Sequence, residues 1–306
     1  MRRVVLLRLL GGLGNQMFQY ALGRRLALAN DAELKLDLSA YRPAVLARQK
    51  WRRPLQLNHL KIVAAVAARM EITRIRNRGW IPPAGWILDR LESQKPYHMR
   101  HSIVEPRSNR WVFDPAISGL TVRGSVYLKH GFWQAARYLH GIEGALRDEF
   151  QVAVPAEGLN AEYLSAIREE ESVAVHIRRG DYVEWPGRRG FAPLPLDYYS
   201  RASTALAEQV RNPRLWIFSD DPEWCRANLS FEQPFTVVAH NSSEEAYQDL
   251  RLMMACRHSI IANSSLSWWG AWLQQNPGRV VYAPQKYFPT HERPTPDLYP
   301  EGWRLL

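Results

Sequence analysis

Cysteine is almost missing from this chain. Only Cys225 and Cys256 occur in 306 residues, too few for a disulfide framework, and neither has the close Cys or His neighbours of a structural zinc site. A reducing compartment is therefore expected. Long apolar runs are missing too. No stretch approaches the ~20 residues that span a bilayer, and Arg8 interrupts the run that opens at Val4. Without a small-residue cleavage site behind it, that segment reads as a buried strand and not as a leader. The expected location is cytoplasmic, extending to peripheral association with the inner face of a membrane. Nucleic-acid signatures are absent as well: there is no zinc-finger spacing, no base-stacking aromatic motif and no basic region running into heptads. No nucleic-acid partner is expected.

Acidic residues are in deficit, 30 against 40 Lys and Arg. The imbalance is local. Residues 42–110 hold fifteen Arg or Lys against Glu71, Asp89, Glu92 and Glu105, a surplus of eleven. Such a block can attract anionic lipid or phosphorylated substrates, and it can equally be a solvated arginine-rich face. Peripheral contact with an anionic membrane through residues 42–110 is carried forward as an expectation. Trp51, Trp80, Trp86 and Trp111 lie among or beside these charges, which suits a sugar-binding surface as well as a core.

What is present is 46% hydrophobic and 11% aromatic, ample for a packed core in one large or two ordinary domains. Two halves open with the same order of signals: an apolar strand, a loop rich in Gly or Arg, then a helix. An α/β sheet with crossover helices produces that order. In the first half, residues 4–10 read as a strand, 11–15 as a loop and 16–30 as a helix, with Phe18, Leu22, Leu26 and Ala29 on one stripe. Residues 33–38 alternate like a strand. The pattern weakens over 42–110, where 61–71 looks helical and Pro82-Pro83 and Gly85 signal turns. Residues 122–128 look like a returning strand, followed by Gly131-Phe-Trp133 and a helix through Tyr138. After a helical run at 143–150, residues 151–155 carry the proline of a domain crossing. The expected domains are 1–150, with a basic insertion at 42–110, and 151–306. The second contains strand candidates at 172–177, 215–219, 259–262 and 280–283, and a parallel sheet of this kind binds ligand at the carboxyl ends of its strands.

The segments at those ends carry the chemistry. Gly11-Gly-Leu-Gly-Asn-Gln-Met-Phe-Gln-Tyr-Ala21 sets three glycines between strand and helix, where backbone can approach a ligand. Its Gly-Gly-x-Gly spacing is not the dinucleotide fingerprint. A tight turn capped by Asn15 explains the glycines but not Gln16. In His176-Ile-Arg-Arg-Gly-Asp181, two arginines follow an apolar strand, where exposed charge is costly unless paired. Arginine's fork of donors grips phosphate oxygens in two places. Asp181 can orient a guanidinium or accept a proton, and an ion-pair cluster of Arg178 or Arg179 with Asp181 is the purely structural alternative. In Leu215-Trp-Ile-Phe-Ser-Asp-Asp-Pro-Glu223 the adjacent carboxylates are not the Asp-x-Asp of metal-dependent sugar transfer. Asp221 before Pro222 reads as a helix cap, which leaves Asp220 for a ribose or an arginine. Finally, Arg257-His-Ser-Ile-Ile-Ala-Asn-Ser-Ser-Leu-Ser-Trp-Trp-Gly-Ala-Trp272 places Asn263, Ser264 and Ser265 between strand and helix, a phosphate cradle or simple serine capping.

Together these segments resemble glycosyltransferase family 11, the α-1,2-fucosyltransferases. Residues 11–21, 176–182, 218–222 and 261–272 match its recurring segments in order. The His-x-Arg-Arg-x-Asp element is shared with α-1,6- and protein O-fucosyltransferases, whereas the Gly-Asn-Gln-x-Phe-x-Tyr-Ala and Asn-Ser-Ser-x-Ser-Trp-Trp segments narrow the likeness to the α-1,2 group. The resemblance implies a glycosyltransferase B architecture: two Rossmann-like domains facing a central cleft, acceptor largely on the first and GDP-fucose on the second. By position, Arg178 and Arg179 would bind the diphosphate. His176, Asp220 and His258 would lie near the nucleoside, and Asn263, Ser264 and Ser265 would complete the phosphate pocket. Gly14, Asn15 and Gln16 would meet the sugar from the acceptor side.

The implied reaction is a metal-independent single displacement with inversion, with no cofactor beyond the donor substrate. Charge growing on the leaving diphosphate would be met by fixed guanidinium groups. Asp181 is the candidate base, and a late proton transfer without a dedicated base is the alternative. The implied acceptor is a galactoside-terminated oligosaccharide, lipid-linked ones included. Transfer to another linkage, use of another GDP-sugar, and a binding protein that has lost catalysis stay open. The loop at 184–190 follows no family pattern and leaves acceptor preference undetermined.

Overall fold

The computed structural model describes residues 3–50, 53–77, 85–106, 111–184, 190–291 and 293–306, without the side chains of residues 77 and 85–89. Trp51, Trp80, the Pro82-Pro83 turn, the Trp86 side chain and most of the 184–190 loop lie outside the described residues. The chain divides into two compact units, Met1–Phe150 with Thr295–Tyr299, and Gln151–Pro294 with Pro300–Leu306. Each is an α/β unit built on an all-parallel sheet, the pair of Rossmann-like units that the glycosyltransferase B class comprises.

The first unit contains β1 (Val4–Arg8), β2 (Glu33–Asp37), β3 (Ala65–Val66), β4 (Ser102–Val104) and β5 (Ser125–His130) in the order β3-β2-β1-β5-β4. Every pairing is parallel. β1 is central, and Val5, Leu6 and Leu7 have no exposed surface. Burying each such side chain contributes roughly 1.5–3 kcal/mol. The helix Leu13–Ala29 leaves β1 through a short glycine turn. It begins three residues earlier than periodicity predicts, because the Gly12 carbonyl already accepts the N–H groups of Asn15 and Gln16.

Two further expectations are corrected in this unit. Residues 61–71 are not one helical piece. Ala65–Val66 pairs with β2, the Ala67 N–H bonds the Leu36 carbonyl, and the helix starts at Arg69. Sheet-edge hydrogen bonds and β-branched Val63 and Val66 outweigh helical spacing there. The helix expected through Tyr138 is the 3-10 turn Ala136–Leu139, whose first N–H is taken by the Asp297 carbonyl.

The second unit contains β6 (Ser172–Ile177), β7 (Arg214–Ser219), β8 (Phe235–Val238), β9 (His258–Ile260), β10 (Val281–Ala283) and β11 (Arg304–Leu305). Their order, β11-β10-β9-β6-β7-β8, is the doubly wound order 3-2-1-4-5-6 when read from the other edge. All six residues of β6 are buried, as a central parallel strand covered by helices on both faces requires. Its side chains alternate between two cores. Val173, Val175 and Ile177 pack with Tyr198, Tyr199 and Leu206, while Ala174 packs with Ile167, Trp216, Phe218 and Leu252. Among the described residues no helix is long and apolar enough to cross a membrane.

Candidate functional site

In a doubly wound sheet the crossover helices after the first and fourth strands go to opposite faces, and the gap opened at their carboxyl ends is where ligands bind. Here those strands are β6 and β9, paired side by side. The loop with Arg178 and Arg179 follows β6, and the turn with Asn263, Ser264 and Ser265 follows β9. The two segments singled out from sequence thus flank one gap.

Carboxylates hold both guanidinium groups in place. Arg178 Nη2 donates to Asp181 Oδ1 at 2.6 Å, and its Nη1 lies 2.8 Å from Asp220 Oδ2. Burial alone would lower its pKa, but the facing carboxylates of Asp220 and Asp181 outweigh that and raise it above the usual value. Arg179 donates its backbone N–H to Asp220 Oδ1 at 2.8 Å and its Nε to Asp221 Oδ2 at 3.0 Å. It also stacks on Trp224. Asp221 caps the helix Pro222–Asn228 by accepting the Trp224 N–H, with Pro222 in the first turn. Asp220 therefore braces both arginines, and Asp181 is an orienting partner of Arg178. Among the described residues only Nε of the Arg179 guanidinium has a hydrogen-bond partner, which leaves its two terminal nitrogens to grip an anion.

Across the gap, Asn263 is fully buried and anchors the turn by donating Nδ2 to the carbonyls of Ala192 and Tyr287. Tyr182, one turn beyond Arg178, donates its hydroxyl to the Asn263 carbonyl at 3.0 Å and joins the two walls. Ser264 occupies the cap position of the helix Ser265–Leu273, but no capping bond runs from its hydroxyl. The simple capping reading is corrected on this point. Asn263 Oδ1 and His176 Nδ1 are both buried without a hydrogen-bond partner among the described residues. Native proteins seldom leave such atoms unsatisfied unless a ligand or ion completes them. Burial pushes the His176 pKa down to about 4 despite the pull of Asp220, so its ring is neutral near pH 7.

His258 is not part of this assembly. It is the first residue of β9, in register with Val173, five residues before Arg178. At the rise of a strand that is about 16 Å towards the opposite edge of the sheet. There it lies 3.4 Å from Glu171 and accepts the Val280 N–H. A histidine that opens its strand belongs to the amino end, away from the gap at the carboxyl ends.

Asp249 did not stand out in the sequence. It stands in the first turn of the helix Ala246–Ala255, where its carboxylate accepts from Asn241, just past the carboxyl end of β8. Burial, against the Asn241 hydrogen bond, lifts its pKa to about 7. Nearby, Asn160 bridges Asn241 and His240. β8 lies two strands from β6, about 10 Å at ordinary strand spacing. Among the described residues no three His, Cys, Asp or Glu side chains converge as a metal site.

In the first unit, Gly11 has a φ of 80°, and a Cβ there would lie 2.7 Å from Asn15 Nδ2. Gly14 is buried within the first turn of the helix. Gln16 is fully buried, and both ends of its amide are engaged. Its Nε2 donates to the carbonyls of Gly11 and Pro54, while Oε1 accepts from the N–H groups of Gln56 and Leu57. It clamps the loop from behind. Asn15 is the member of the trio with exposed surface, and its Oδ1 accepts from Gln134 at 2.9 Å.

Comparison with known proteins gives matches along the chain. The family described as Glycosyl transferase family 11 matches residues 116–305. The chain is 34% identical over 308 residues to an alpha-1,2-colitosyltransferase of Escherichia coli, covering 98% of each chain. It is 30% identical over 299 residues to the O-antigen biosynthesis glycosyltransferase WbnK of Escherichia coli, covering 91% of this chain and 93% of that one. It is 28% identical over 159 residues to the galactoside 2-alpha-L-fucosyltransferase SEC1 of Bos taurus, covering 47% of this chain and 41% of the other.

Proposed function

The chain belongs to glycosyl transferase family 11, and from that premise we propose that it transfers L-fucose from GDP-fucose to the 2-hydroxyl of a terminal β-galactoside, with inversion and without a metal ion. It is a glycosyltransferase; the sugar, the linkage and the acceptor are the proposal. The observation that carries it is the braced pair Arg178 and Arg179 at the carboxyl end of β6. As the bond to the anomeric carbon breaks, negative charge develops on the diphosphate. Donors already fixed in place stabilise that charge without reorganising, and losing one costs on the order of a hundredfold in turnover. Both oxygens of Asp220 already accept from arginine, which favours charge stabilisation by guanidinium over a carboxylate-held cation. Asn263, Ser264 and Ser265 complete the phosphate pocket in this reading.

Asp249 is the proposed reader of the base. Guanine offers two adjacent N–H donors on one edge, and a carboxylate accepts both. Adenine presents no such pair. His176 and Asp220 would then serve the nucleoside between base and phosphates, and His176 Nδ1 would find the partner it lacks.

A second donor is favoured by the colitosyltransferase relative. Colitose is L-fucose without its 3-hydroxyl, so GDP-colitose would offer the same diphosphate and guanine. Supplying each donor separately with a panel of galactosides, and following GDP release and product linkage by nuclear magnetic resonance, separates the readings. A product linked elsewhere than at the 2-hydroxyl would sink the proposed linkage. Turnover with GDP-colitose and none with GDP-fucose would replace the donor.

Contact with an anionic membrane is proposed through the first unit. Val63, Val66 and Met70 are 59%, 65% and 85% exposed, and exposed Lys61, Arg69, Arg74 and Arg76 stand among them. Apolar side chains amid basic ones suit a lipid surface. Co-sedimentation with phosphatidylglycerol vesicles, lost in Met70→Glu, is the expected result. Equal recovery in the soluble fraction with and without vesicles would reduce the block to a solvated face.

A further inference from the structure

The turn that follows β5 is held under more constraint than a connecting loop needs. Trp133 has a φ of 47°, a left-handed conformation that bulky residues rarely adopt. Its side chain is nonetheless 1% exposed. Gly131 before it admits no side chain, since a Cβ would lie 2.6 Å from Glu105 Cβ and 2.7 Å from the Trp133 ring. Glu105, just past the end of β4, accepts the Phe132 and Trp133 N–H groups on its two oxygens at 2.8 and 2.9 Å. Gln19 ties the turn to the end of β1, donating to the carbonyls of Gly131 and Leu10 and accepting the Leu10 N–H. Gln134 donates to Asn15 and accepts from Trp111.

Backbone strain that the surroundings over-determine clusters at active sites and ligand clamps. Within residues 131–136, Phe132 alone is half-buried, and the others are buried. Its ring stands beside that of His130, with centroids 6.3 Å apart, at the carboxyl edge of the first sheet and next to the Asn15 turn. We infer that Phe132 is a stacking platform for the acceptor sugar, a galactopyranoside, and that Glu105 is the positioning residue that holds it. The axial 4-hydroxyl of galactose gathers three C–H groups on one face of the ring, and that apolar face packs on an aromatic one. The inference rests on the glycosyl-transfer reading above and adds to it the residues that receive the acceptor.

The test measures acceptor and donor separately. Saturation-transfer nuclear magnetic resonance reads binding of methyl β-galactoside, and titration calorimetry reads binding of GDP. Phe132→Ala is expected to weaken galactoside binding at least tenfold while GDP affinity stays within twofold, and Phe132→Trp is expected to restore it. Glu105→Gln, which replaces one acceptor oxygen with a donor, is expected to lower kcat and raise the acceptor KM with GDP affinity unchanged. Undiminished galactoside binding in Phe132→Ala overturns the inference, as does a wild-type protein that binds GDP but no galactoside. Failure of the wild type to bind GDP would instead strike at the donor reading. Should Phe132→Ala unfold, Phe132→Leu keeps the apolar bulk without the flat face, and unchanged binding in it overturns the platform.

Discussion

The guanidinium carbon of Arg179 lies 3.5 Å from the centre of the Trp224 ring, and the same side chain is tied through Nε to Asp221, the cap of the helix that carries Trp224. Stack and ion pair together fix a plane, so the terminal nitrogens hold one orientation. A lysine keeps the charge but has neither plane nor fork. Arg179→Lys is expected to lower kcat about a hundredfold, with a melting temperature close to that of the wild type. Steady-state kinetics with GDP-fucose check it, and a loss below fivefold would mean that charge alone suffices.

Asp220 supports two arginines at once. In Asp220→Asn the side-chain amide can accept at one end only, leaving either Arg178 Nη1 or the Arg179 N–H without its partner. A lost bond of this type costs about 1–3 kcal/mol. The donor KM should rise and kcat fall together, while excess chelator leaves the wild-type rate unchanged. Activity abolished by chelation and restored by manganese would contradict the guanidinium account.

Asp249 supplies a pH signature. With its pKa raised to about 7 by burial, the carboxyl group is increasingly protonated as pH falls below that value. In the proposed base contact, only the ionised form could accept both guanine donors. GDP affinity should therefore be level above about pH 8 and fall up to about tenfold per unit below about pH 6.5, the slope of a single titrating group. Asp249→Asn should bind GDP weakly and lose most of this dependence. Calorimetric titrations across the range, with the variant as control for titration of the nucleotide itself, decide the point.

Gly11 should tolerate no side chain. Its φ of 80° and the 2.7 Å approach to Asn15 Nδ2 predict that Gly11→Ala loses at least about 1–2 kcal/mol, the penalty for a left-handed conformation in a residue with a Cβ. Urea denaturation measures it. Gly144→Ala, where a Cβ meets nothing within 4 Å, serves as the control and should be neutral or stabilising, because that glycine lies in the helix Glu143–Glu149.

The sequence was most legible where long apolar strands run into sharp loops. β1 and β6 each present a mostly apolar run that leads into a loop of Gly or Arg, and both lie at the centre of their sheets. β3, β4, β8 and β11 are two to four residues long, too short for any periodicity to emerge. Arg178 and Arg179 stood out because consecutive arginines after a buried strand demand partners. Asp249 did not, since an acid in the first turn of a helix is commonplace, and only its neighbours Asn241 and Asn160 distinguish it. Gln16 is expected at the sugar from its position in a segment that resembles the family's. Its amide instead meets the backbone of residues 54–57, a long-range contact that sequence spacing does not reveal.

Residues 295–299 return to the first unit after the second has been traversed. Asp297 bonds the Phe113 N–H with its side chain and the Ala136 N–H with its carbonyl, and Leu298 is 1% exposed. The polypeptide therefore crosses between its halves three times, and neither half is a contiguous cassette. A fragment ending at residue 150 would lack part of its own core. A chimera that borrows the first unit of a relative must bring that late five-residue clasp with it.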